Sequence, residues 1–129
     1  MSQWKKVPLG LVAISVIIFF MALATVFFWL ARLSGKTYPR TIPLDPSLYN
    51  AFVVPDIVLS LLFFISAYGL LRLRKFGYTV SLVALGMWLF DSLLVLGITR
   101  LEQIRLVAPS LLFILAAIFY IWMKKELFE

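Results

Sequence analysis

Two carboxylates stand where an apolar chain has least use for them. Asp91 lies inside "GMWLFDSLLVLG" (Gly86 to Gly97), and Asp56 lies inside "FVVPDIVLSLLF". A carboxylate in hydrocarbon loses its hydration, so acids within membrane segments commonly serve as proton, cation or ligand sites. Two of them close together in low dielectric also repel each other. Either one of the pair holds a proton or a cation balances them. That cation could be a bound ion, a substrate amine, or an arginine folding in from the rim. Arg32, Arg100 and Arg105 are the candidate arginines, the last two being nearest in sequence to the outer end of the third apolar run.

The elements that must position these acids follow from hydropathy. Apolar residues make up 64% of the 129-residue chain, against about 45–50% in a soluble domain, and the mean hydropathy is +1.05. One small domain has too little interior to bury that much apolar surface, so lipid must be the solvent. The sequence predicts an all-α membrane protein, a four-transmembrane-helix antiparallel bundle in a single integral membrane domain covering residues 1–129, with spans near 7–31, 50–72, 78–99 and 106–123. Lys5, Lys6 and the "ALA" at Ala22 to Ala24 raise the alternative of a signal peptide, but "TVFFWLA" carries the apolar run onward, as a retained anchor does.

Punctuation between the runs agrees. "RLSGKTYPRTIPLDPSLYN" is a loop broken by Gly35, Pro39, Pro43 and Pro46, and Asp45-Pro46 offers a cap followed by proline at a first helical position. "RLRKFGY" has room only for a tight turn, and "RLEQIR" forms the third loop. Lys and Arg number seven on the side of the termini and second loop, and five on the other side. This excess predicts both termini in the cytoplasm and an integral multi-pass protein of the cell membrane. Trp4, Tyr78, Tyr120 and Trp122 form one interfacial aromatic belt and Trp29, Tyr38 and Tyr49 the other, leaving Trp88 in mid-span.

An Asp at a helix centre costs about 2.5–3.5 kcal/mol on insertion scales. The eleven Leu, Ile, Phe and Val residues of Tyr78 to Thr99 return about 3–7 kcal/mol, so the span still inserts. Counting from the outer ends, Asp56 lies about 9 Å below Asn50 and Asp91 about 12 Å below Thr99, which brings the acids to similar depth. At about 100° per residue, Tyr49, Asp56, Ser60, Phe63 and Ala67 share a face, as do Ser81, Ala84, Trp88, Asp91, Ser92 and Thr99. The two stripes are expected to face each other or a common cavity, making Asp56, Asp91, Ser60, Trp88 and Ser92 the candidate ligand- or ion-binding residues.

Structural readings compete at each position. A helix starting at Pro55 would make Asp56 a favourable first-turn charge. Asp91 could bond to Trp88, Ser92 or an arginine as packing glue. Trp88 could be a core aromatic, Gly86 and Gly97 could allow close helix approach, and Ser110 would fall in the first turn of the fourth helix, after Pro109.

Several function classes drop out. Without cysteine or histidine there is no disulfide, thiol relay, His-ligated haem or ordinary zinc site. No lysine sits within an apolar run to form a Schiff base, and no phosphate-cradling glycine loop, nucleophile elbow or metal-spaced acidic cluster is present, so no cofactor is expected. The net charge of +6 is clustered at span ends, which suits the bilayer and not a nucleic acid. Small multidrug transporters resemble the chain in size and span count, but they carry their acid in the first span, where Val7 to Ala31 has none. Three functions stay open: binding or transport of a proton, cation or small ligand, with a homodimer widening the narrow bundle; a non-catalytic subunit or assembly factor packed on partners in a larger membrane complex; and a lipid-acting enzyme, for which no nucleophile is in view.

Overall fold

A computed structural model describes residues 7–33, 51–102 and 104–128, without the side chains of Arg32 and Leu33. All the regular structure in these segments is helical. Helix α1 is Leu9–Leu33, α2 is Val53–Leu71, α3 is Lys75–Ile98, and α4 is Ile104–Met123, followed by a 3-10 turn at Lys125–Leu127. The Asp45-Pro46 start, the loop with Lys36 and Arg40, and the belt residues Trp4, Tyr38 and Tyr49 lie outside the described residues. All four helices are long and apolar enough to cross a membrane. Their 25, 19, 24 and 20 residues reach about 28–38 Å, against a hydrocarbon core of about 30 Å.

Backbone chemistry sets the helix limits. Pro8 accepts from the amides of Leu11 (3.0 Å) and Val12 (3.2 Å), which opens α1. Helix α2 begins at Val53 and carries Pro55 as its third residue, where a missing N–H is harmless because the first helical amides have no partner within the helix. The Asp56 amide then makes the first regular bond, to Phe52 O at 2.8 Å. Asp56 is therefore a first-turn residue, though the helix does not start at Pro55.

Helices α2 and α3 both end in the same six-residue wrap. After α2, Arg74 N–H reaches Gly69 O (3.0 Å) and Leu73 N–H reaches Leu70 O (3.2 Å). After α3, Leu101 N–H reaches Leu96 O (2.8 Å) and Arg100 N–H reaches Gly97 O (3.4 Å). This Schellman pattern satisfies otherwise orphaned carbonyls but needs a left-handed residue, normally glycine. Here Leu73 (φ 53°) and Arg100 (φ 53°) take that conformation, as does Leu101 (φ 68°). Helix α3 starts at Lys75, three residues before the expected Tyr78, because the turn needs only Arg72–Arg74. Helix α4 starts at Ile104, ahead of the expected 106, so Pro109 and Ser110 are interior and not in the first turn. Proline there cannot donate to the Arg105 carbonyl one turn back.

Each helix packs chiefly on its sequence neighbour, and α1 also touches α4. The centre is filled by Leu11, Ile18, Leu70, Leu85, Ile114 and Ile121, all fully buried. Glycines mark the closest approaches: a Cβ on Gly69 would run into the Gly77 backbone, and one on Gly10 would strike the Tyr120 ring. Gly86 and Gly97, expected to allow such approach, face open space instead. Beyond the 3-10 turn, Phe128 folds back and is buried against Tyr78, ring centroids 5.4 Å apart. Large apolar side chains such as Phe20, Phe27, Leu61, Phe90, Leu112 and Phe119 are exposed on the outside of every helix, the surface a lipid-facing bundle needs.

Candidate functional site

The first turn of α2 points Asp56 toward α1, where Trp29 Nε1 donates to its Oδ2 at 2.8 Å. Trp29 is almost fully buried (3% exposed) and so is not a free interfacial belt residue, as its position near the run's end had implied. It closes a seam of Leu11, Ser15, Ile18, Ala22, Thr25 and Trp29, spaced 4-3-4-3-4 along α1 and buried at every position but the half-buried Thr25. That spacing is the sequence signal that assigns Trp29 to the interior. Asp56 thus has two sources of compensation, an indole N–H and the positive end of its own helix.

Asp91 has neither. It lies seven residues before the end of α3, about 10 Å from the helix terminus and on the side of negative partial charge. Its Oδ2 is buried and has no hydrogen-bond partner among the described residues. Arg100 and Arg105, named as counter-charges, are exposed and do not line the cavity that Asp91 faces. The Arg32 side chain lies outside the described residues.

Both acids line one cavity of about 420 Å³ to which all four helices contribute. Helix α1 supplies Met21, Thr25, Phe28 and Trp29; α4 supplies Leu106, Val107 and Ser110. From α2 come Asp56, Leu59 and Phe63, with Phe52 just before it, and from α3 come Trp88, Asp91, Ser92 and Val95. Phe63 and Trp88 stand edge-to-face at 5.6 Å and also pack on the central core, so they form the boundary between core and cavity. Trp88 meets Phe113 of α4 as well, at 5.8 Å.

Of the residues singled out from the sequence, Asp56, Trp88, Asp91 and Ser92 come together in this cavity. Ser60 does not: it is buried, and its hydroxyl donates to the Asp56 backbone carbonyl at 2.9 Å. Most buried hydroxyls are spent the same way, Ser66 on Leu62 O (2.7 Å) and Thr99 on Val95 O (2.8 Å). Ser15 differs, its buried Oγ having no partner among the described residues, but it does not line the cavity.

Chemically, this is an aromatic-walled chamber with two carboxyls and the hydroxyl residues Thr25, Ser92 and Ser110. No cluster of three His, Cys, Asp or Glu capable of holding a metal occurs among the described residues. Compared with protein-family models, curated proteins and solved structures, the chain matches none of them.

Proposed function

We propose that the protein binds a proton, a cation or a small ligand in this cavity, as a single four-span domain of the cell membrane. In this reading the helices cross as an antiparallel bundle with both termini in the cytoplasm. Asp91 is the principal binding group, and Asp56, Trp88 and Ser92 complete the site.

One observation carries the reading: a cavity of about 420 Å³ is lined by Asp91, whose buried Oδ2 has no partner among the described residues. Buried polar atoms are almost always satisfied, so an orphan next to open volume marks a place for something else. Packing glue would instead pair Asp91 with an arginine or an indole. Trp29 serves Asp56 in that way, and no described group serves Asp91. Assembly on a partner chain asks for an unpaired polar group on the outside of the bundle, whereas Asp91 Oδ2 is enclosed.

The test is proton release and ligand uptake by purified protein in lipid nanodiscs. Asp91→Asn is expected to abolish the signal and Asp56→Asn to weaken it. Both variants behaving as wild type across the neutral pH range would sink the proposal.

A further inference from the structure

Resting on that reading, we infer that the cavity takes a lipophilic organic monocation, a protonated or quaternary amine bearing an apolar group, with Asp91 as its counter-charge. The sign follows from the described lining, which contains two acids and no lysine or arginine although the whole chain carries 12 basic residues against 6 acidic. Among the described residues an anion would find no counter-charge there.

The organic character follows from the walls. Phe28, Trp29, Phe52, Phe63 and Trp88 supply five aromatic rings, and ring faces attract ammonium groups that have left water. A hard inorganic cation wants six or more oxygens around it; of the lining side chains only Asp56, Asp91, Thr25, Ser92 and Ser110 carry any, and Asp56 Oδ2 is already bonded to Trp29. A proton alone needs no chamber. The volume of about 420 Å³ lies in the range of small-molecule sites, about 300–1,000 Å³.

A single charge follows from the inequality of the acids. Asp56 already accepts from Trp29 and sits at a helix start, while Asp91 Oδ2 is unpartnered among the described residues. One positive charge beside Asp91 completes the set. Trp88, one helical turn away on the same side of α3, then presents its ring to the ammonium.

The experiment is equilibrium dialysis of the full chain in nanodiscs against benzyltrimethylammonium and against neopentylbenzene, its uncharged isostere, with empty nanodiscs subtracted. The cation is expected to bind at least tenfold more tightly than the isostere. Asp91→Asn should lose at least tenfold in cation affinity and Trp88→Leu about fivefold. Thermal unfolding guards against trivial misfolding: Asp91→Asn should melt at or above the wild-type temperature, because it removes the charge of a carboxyl whose Oδ2 is buried without a partner among the described residues.

Equal binding of the two compounds, undiminished in Asp91→Asn, overturns the cation class and leaves the cavity as a site for neutral ligands. Neither compound binding while Asp91→Asn abolishes proton release also overturns it, leaving the proton form of the proposed function. No binding together with proton release unchanged in both Asn variants overturns the inference and the site together.

Discussion

At the Arg72–Arg74 end of α2 and α3 the two backbones meet through Gly69 and Gly77, whereas further along the same pair Phe63 packs on Trp88 and the seam gives onto the cavity. One end spends its small residues on contact. There Ser66 and Ser81 are fully buried, and both hydroxyls are satisfied by their own helices. The other end carries bulk, charge and space. The contrast teaches that one pair of helices can be held rigidly at one point and leave volume at another, with the change set by side-chain size along a single stripe.

The sharpest way to break the contrast is to fill the tight end. Gly77→Val would push a branched side chain into the Gly69 backbone and should destabilise the protein by about 3 kcal/mol, read from unfolding by sodium dodecyl sulfate in mixed micelles followed by circular dichroism. Next come the two acids, whose neighbours should respond with opposite sign. Trp29→Phe removes the donor to Asp56 and should cost about 2 kcal/mol. Asp91→Leu removes a half-buried acid whose Oδ2 is buried with no partner among the described residues and should gain about 2 kcal/mol in the same assay. A loss from Asp91→Leu would mean that Asp91 holds the fold together and is not reserved for a ligand.

Smaller effects test the cap and the open glycine beside the cavity end. Arg100→Gly relieves a left-handed residue at the α3 terminus and should stabilise by about 1 kcal/mol. Gly97→Ala, facing open space, should gain roughly 0.5–1 kcal/mol from helix propensity alone. If Gly97→Ala proved as damaging as Gly77→Val, the distinction between a tight end and an open end would collapse.

Much of this arrangement can be read from residue spacing. Asp56, Ser60, Phe63 and Ala67 repeat with helical period, and the last three are indeed buried. On α3, Ser81, Ala84, Ser92 and Thr99 are buried as the matching stripe requires, while Trp88 and Asp91 face the cavity. What spacing does not reveal is which small residues touch. Gly86 and Gly97 look equivalent to Gly69 and Gly77 in sequence, but only the latter two meet a facing backbone. The partition depends on which helix lies opposite, a long-range property.

Trp29 illustrates a different limit. A tryptophan near the end of an apolar run suits the interfacial belt, and only its place in the 4-3-4-3-4 seam argues otherwise. The start of α4 was obscured by Pro109, because proline is common at first helical positions and here lies six residues into the helix. Backbone hydrogen bonding of neighbouring turns tolerates it, and no local signal says so. Left-handed Leu73 and Arg100 are similarly hidden, since glycine is the residue expected at a Schellman cap.

The Arg72–Arg74 link bears on biosynthesis under the proposed topology. Three residues are too few to hold α2 and α3 apart, so the two should pair as one helical hairpin once α3 has been made. The aspartate of α3, whose Oδ2 has no partner among the described residues, would then meet lipid with a companion helix already shielding one flank.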